Sequence, residues 1–210
     1  LRDLGGWPGV LGEAHLAAAA DLLDDPVPLL ATLDDLPWTL IHGAPQADHW
    51  RLTLFDEQYL IDWSTAQHGP GVIDLIAFLE RFPLLYERLP EGEDEDNNSR
   101  PHIRLREVAP LFEETAIDTY LLTLSAEMGQ HFSARRFRAA VPAARCLHVL
   151  TTWFPYFARW SDDMPDKAIW QRLNQLSEAD LAQSRVGPMA GLRPYLAGVF
   201  DRFLHAYRSL

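Results

Sequence analysis

Strand-forming sequence in this chain is confined to one short stretch, and almost everything after it is patterned as helix. Trp38 to Ile41 reads as a short buried strand. Arg51-Leu-Thr-Leu-Phe55 alternates apolar and polar with period two, and Gln58-Tyr-Leu-Ile-Asp62 does so less cleanly. Asp56 and Glu57 lie between them, which predicts a hairpin, although the favoured Asn-Gly or Asp-Gly turn is missing. Strands so few and so clustered exclude a doubly wound sheet, which needs strands and helices alternating along the chain. The expected class is α+β, mostly helical, with a small β-hairpin beside a loop.

The helical expectation starts before the strands. Glu13 to Leu23 is rich in alanine and leucine, both strong helix formers. Pro26 and Pro28 interrupt it, and a short helical piece is expected from Val27 to Leu33. After Gly69-Pro-Gly71, the residues Val72, Ile73, Leu75, Ile76 and Leu79 form one apolar helical face, which Pro83 is expected to end. Further helices are expected over Leu105 to Met128, Ser133 to Trp160, Ala168 to Arg185 and Pro188 to Arg208. The second of these carries Pro142 and Pro155, which should disturb it, and Ser133, which can N-cap it.

Composition narrows function. The chain has 210 residues and a formal net charge of −12. A surface so acidic disfavours nucleic acid, whose phosphates need a basic footprint, and is compatible with a cationic small-molecule ligand. The densest acidic run, Glu91-Gly-Glu-Asp-Glu-Asp96, reads as a solvated loop. No apolar run is long enough to predict a membrane span, and Leu1-Arg-Asp-Leu-Gly-Gly6 has no signal-peptide pattern. The single Cys146 cannot form an internal disulfide, so a reducing, cytoplasmic compartment is the expectation, with the thiol buried among Ala143, Ala144, Leu147 and Val149. Lys167 is the one lysine among 18 basic residues. No strand pattern surrounds it, and no glycine-rich phosphate loop of the kinase or Walker type occurs anywhere. The eight histidines include no His-x-x-x-His pair and no Cys-x-x-Cys partner, which argues against a structural zinc site.

Four sequence pieces follow one another at compatible spacing: Ile41-His-Gly43, Ile61-Asp-Trp63, Gly69-Pro-Gly71 and Asp74-Leu-Ile-Ala77. In this order they resemble the aminoglycoside phosphotransferase and choline kinase-like family of small-molecule kinases, over about a fifth of the chain. The resemblance implies the C-terminal lobe of a protein-kinase-like fold, spanning residues 1–210, with the nucleotide-binding lobe expected upstream of Leu1. It implies that Asp62 holds the Mg²⁺ that bridges the nucleotide phosphates, that His42 and Gly43 are structural loop residues, and that Asp74 braces the loop by hydrogen bonds. Taken without the resemblance, His42 would be a satisfied core histidine, Asp62 a cap of the hairpin or next turn, and Asp74 an acidic residue favoured in a helix's first turn.

The chain departs from the family's pattern at two positions. A kinase catalytic loop carries an Asp two residues after its His and an Asn five residues further on. Ala44 stands at the first position and His49 at the second. A methyl group cannot orient or accept a hydroxyl proton, and a positioned base contributes about 10²–10⁴-fold to rate. Imidazole is a softer ligand than an amide oxygen, better suited to transition metals than to Mg²⁺. Asp48 could substitute if the loop shifted by one residue.

Two expectations follow. One is a homologue of ATP-dependent small-molecule O-phosphotransferases, impaired or inactive as it stands, using Mg²⁺ and ATP only where an N-terminal lobe is supplied. The other is a non-catalytic, pseudokinase-type binding or regulatory module. No catalytic residue is assigned in either case. Trp153, Phe154, Tyr156, Phe157 and Trp160 crowd one helical segment, where core packing is the default and an aromatic wall for a small ligand is the minority reading.

Overall fold

The structure is a computed structural model of the whole chain, and it describes residues 10–45, 49–53, 57–86, 105–163, 172, 175–177, 180 and 192–210. The acidic run at 91–96, Asp48 and Lys167 lie outside these residues, as do most of 168–185 and the start of the last expected helix. The fold is α+β and mostly helical. Its chain divides into two compact units, one made of Leu1–Leu36 with Ala139–Leu210, the other of Pro37–Arg138.

In the first unit the described helices are α1 (Glu13–Asp24), α2 (Val27–Asp34), most of α5 (Ala134–His148), α6 (Phe154–Asp163) and α7 (Leu192–Tyr207). Helix α1 begins just after Gly12, whose carbonyl accepts the His15 N–H at 3.1 Å. The Gly12 N–H donates to Nδ1 of His15 at 2.9 Å, the role a Glu or Gln at the third helical position usually plays. Helices α1 and α7 pack together, and the Tyr207 hydroxyl donates to Asp21 at 2.7 Å. The core is built from Leu22, Leu29, Leu196, Val199, Phe200 and Phe203, with Ala140, Ala143, Ala144 and Cys146 fully buried on α5. Small side chains on that face let neighbouring elements approach closely, as dense interior packing requires.

The two expected prolines act differently. Pro142 sits inside α5, which continues through it. Between α5 and α6 the chain makes a π-helical turn, Val149–Trp153. Pro155 has no N–H to offer the Thr151 carbonyl, so the regular ladder breaks there and a wider turn absorbs the mismatch. Trp153 is buried and packs edge-on against Tyr195 and Tyr156, whereas Tyr156 is exposed.

The second unit holds the strands. β1 (Trp38–Ile41) pairs antiparallel with β4 (Gln67–Pro70), Trp38 opposite Pro70 and Ile41 opposite Gln67. β2 (Trp50–Leu52) and β3 (Gln58–Leu60) form the expected hairpin. Helices α3 (Val72–Tyr86) and α4 (Leu105–Met128) pack against each other. Ile41, Val72, Leu75, Ile76, Ile117 and Leu121 are buried here. The N–H of Arg136 donates to the Ser133 hydroxyl at 3.3 Å, and the guanidinium of Arg138 pairs with Asp118.

Three local expectations differ from the structure. β1 is buried only at Ile41, while Trp38 and Leu40 are exposed. β4 is not among the strands the sequence predicts. Its glycine brings Ile41 close, with Cδ1 3.0 Å from where a Cβ would stand, and its proline closes the strand where no further ladder donor is needed. Helix α3 runs through Pro83 to Tyr86. A proline inside a helix costs about 3 kcal/mol, which the buried apolar face ahead of it offsets.

Among the described residues, no helix is long and apolar enough to cross a membrane.

Candidate functional site

The candidate site is the loop that leaves β1, together with the segment between β3 and β4. Ile41 ends β1 in the core, and His42 follows it with 1 % exposure. Every polar group of His42 has a partner. Its N–H donates to Asp74 Oδ2 at 2.5 Å, and its carbonyl accepts the Thr65 hydroxyl at 2.8 Å. Its Nδ1 accepts the Ala44 N–H at 3.3 Å. A backbone N–H can only donate, so Nδ1 is the unprotonated nitrogen and Nε2–H donates to the Ile61 carbonyl at 2.9 Å. His42 thereby ties the loop to the end of the hairpin.

Gly43 turns the chain. Its φ of +82° is disfavoured for a side chain, and a Cβ there would collide with the Thr65 carbonyl oxygen. Its N–H donates to Asp74 Oδ1 at 2.9 Å. Both carboxylate oxygens of Asp74, in the first turn of α3, thus hold consecutive N–H groups of the loop. Behind this contact lies Tyr120 of α4, whose hydroxyl sits 2.6 Å from where a Gly71 Cβ would be. Burial, with the Asp74 charge adding to it, pushes the Tyr120 hydroxyl above its ordinary range.

Ala44 places a methyl group in the middle of the loop and uses both its backbone polar groups on imidazoles. Its N–H goes to His42, and its carbonyl accepts Nδ1–H of His49 at 2.9 Å. The second nitrogen of His49, Nε2, lies 3.5 Å from Asp62 Oδ2. The two histidine rings are 5.4 Å apart, and Trp63 lies 4.9 Å from His42 with its indole N–H donating to the Leu60 carbonyl at 2.7 Å.

Asp62 is the one described non-glycine residue at positive φ, with φ 63° and ψ 63°. Aspartate tolerates this left-handed conformation better than most residues. It begins the short 3-10 turn Trp63–Thr65. The Ser64 hydroxyl donates to Asp62 Oδ1 at 2.6 Å. That bond, and one from the Ser64 N–H, hold the carboxyl below its usual range, with His49 adding a smaller effect.

The structure therefore brings His42, Gly43, Ala44, His49, Asp62 and Asp74 into one constellation. Sequence reasoning missed how Thr65, Ser64 and Tyr120 take part. Ser64 and Thr65 carry a faint signal as hydroxyls two and three residues after Asp62, whereas Tyr120 lies 46 residues beyond Asp74 and only packing brings them together. Chemically, the loop offers one imidazole nitrogen and one exposed carboxylate side by side, and no side chain at position 44 that could take a proton. Among the described residues, no group of three or more His, Cys, Asp or Glu side chains could hold a metal ion. Comparison with protein-family models, with curated proteins and with solved structures finds no match to this chain.

Proposed function

We propose that the chain is the helical lobe of a homologue of the ATP-dependent small-molecule O-phosphotransferases, of the aminoglycoside phosphotransferase and choline kinase-like type, and that it has lost phosphoryl transfer. The observation that carries this reading is the Asp74 carboxylate held on the N–H groups of His42 and Gly43, directly before Ala44. A brace of this kind keeps a loop in a set conformation, which a catalytic loop needs. The residue the brace would present, at position 44, carries only a methyl group.

Retention of the brace without the base also favours the companion reading, a non-catalytic binding or regulatory module on the same scaffold. The ligand would be small, and the net charge of −12 suits a cationic one. Mg²⁺ is the ion the resemblance implies at Asp62 and His49. The donor set fits it poorly, because Mg²⁺ wants oxygen ligands in near-octahedral array and His49 offers an imidazole nitrogen.

The deciding experiment is Ala44→Asp in the complete gene product, with whatever segment is encoded upstream of Leu1 included. Radiolabelled ATP is supplied with a panel of hydroxylated amines, and transfer is measured against the parent. The proposal expects no transfer by the parent and a gain of at least about 10²-fold over background in Ala44→Asp. No gain, with the variant folded and Mg·ATP bound, removes the phosphotransferase ancestry from consideration.

A further inference from the structure

Helix α2 is apolar nearly all round. Leu29 and Leu33 are buried on its inner face. Val27, Leu30, Ala31 and Asp34 follow one another at helical spacing on the opposite side, and all four are exposed. Val27 is 66 % exposed and Leu30 49 %. The one hydroxyl of the helix, on Thr32, folds back onto the Pro28 carbonyl at 2.9 Å. A helix without a polar face is normally covered on every side. Leu23, 71 % exposed near the end of α1, extends the same apolar surface, since only Asp25 and Pro26 separate the two helices.

Charge frames this surface. From Glu13 to Asp35 the chain carries six carboxylates and no lysine or arginine. Asp24 and Asp25 stand at one end of the α2 stripe and Asp34 and Asp35 at the other, all exposed. At 1.5 Å per residue the stripe from Val27 to Asp34 is roughly 10 Å long, about two helical turns. An apolar surface with a polar rim is the usual mark of an interaction site.

We infer that the outer face of α2, with Leu23, docks a basic amphipathic helix of a partner protein. The partner presents apolar side chains at helical spacing to Leu23, Val27 and Leu30, and lysine or arginine on either side of them. Apolar anchors supply the affinity in such a contact, and the charges at the two ends set register and speed encounter. The rim selects this partner over two others. A second copy laid on the same face by a two-fold axis would bring like carboxylates together. An anionic lipid surface attracts basic segments, and this face is acidic. No residue of the loop around Ala44 takes part, so the inference stands apart from the proposed function.

The test uses the full chain and a fluorescein-labelled peptide of leucine and lysine, patterned as an amphipathic helix with lysines flanking a leucine stripe. A scrambled peptide of the same composition carries the same charge without the stripe. Binding is followed by fluorescence anisotropy, and each variant is checked by circular dichroism. The expected result is one patterned peptide bound per chain, with affinity falling as salt rises. Leu30→Ser should weaken binding at least about tenfold, the loss expected for one leucine no longer buried. The double variant Asp24→Asn, Asp34→Asn should weaken it about threefold at low salt and flatten the salt dependence. Leu122→Ser and Glu114→Gln, exposed on α4, should match the parent. Equal binding of the scrambled peptide, unchanged affinity in Leu30→Ser, or no saturable binding would each overturn the inference. So would self-association of the peptide-free chain that Leu30→Ser abolishes, which would give the face to a second copy.

Discussion

Asp74 accepts the backbone N–H of His42 at 2.5 Å with one carboxylate oxygen and that of Gly43 at 2.9 Å with the other, across 32 and 31 residues of sequence. This contact fixes the first turn of α3 to the loop after β1. Asp74→Asn keeps the shape but puts an amide NH₂ against one of the two N–H groups. Hydrogen bonds to a charged group contribute about 1.5–3 kcal/mol each, and an unpaired partner costs a comparable amount. A loss of about 2 kcal/mol in a urea titration is expected, with the slope of the transition unchanged. A loss below about 0.5 kcal/mol would mean the brace contributes little.

Gly71 and Tyr120 make a testable pair. A methyl group at position 71 would meet the Tyr120 hydroxyl at 2.6 Å, and the phenol ring is rigid. Gly71→Ala should destabilise by about 1–3 kcal/mol through overpacking. Tyr120→Phe removes the oxygen and should recover much of that loss in the double variant. The double-mutant cycle reads this directly, since residues in contact are expected to be non-additive. Additive effects would show that the Gly71→Ala cost has another origin.

His15 links a helix cap to pH. Burial holds its ring below the usual value of 6.5, opposed in part by the Asp201 charge. The folded state thus binds the proton less readily than the unfolded one. The His15 contribution is fully present above pH 6.5 and is lost as pH falls below it, through the lowered value. His15→Gln can keep the acceptor for the Gly12 N–H, as the usual capping box does, and should flatten stability between pH 7 and the acid limb. His15→Leu removes the acceptor and should cost about 1 kcal/mol above pH 6.5, with the cost shrinking as pH falls and the parent loses the same acceptor. Thermal melts across this range check both.

Cys146 is fully buried, and burial pushes its thiol up to about 12. The thiolate is the reactive form. A thiol reagent at pH 8 should therefore label the native chain only at the rate of unfolding, and label one thiol per chain at once in denaturant. Fast labelling of the native chain would contradict the buried assignment.

Much of the fold was legible because it rests on local signals. Alanine and leucine content marked α1, and the apolar spacing of Val72, Leu75, Ile76 and Leu79 marked α3. Period-two alternation marked the hairpin, and the bounds of β1 and α4 coincide with those expected. Misreadings fell where a tertiary partner outvoted a local rule. Gly69 and Pro70 became a strand only because β1 was there to pair with them. Pro83 failed to stop α3 because the buried face ahead of it holds the helix in place.

The site divides in the same way. By itself the sequence determined that position 44 has no base, that position 49 is an imidazole and that His42, Asp62 and Asp74 stand at motif spacing, because side-chain chemistry and chain order need no coordinates. Tertiary structure alone decided which groups meet. It set both oxygens of Asp74 on the loop, gave His42 and His49 their proton positions through Ala44, and brought His49 within 3.5 Å of Asp62. Those pairings depend on distances between residues far apart in the chain, and such distances are fixed only when β1, the hairpin and α3 pack around Ile41 and Ile76.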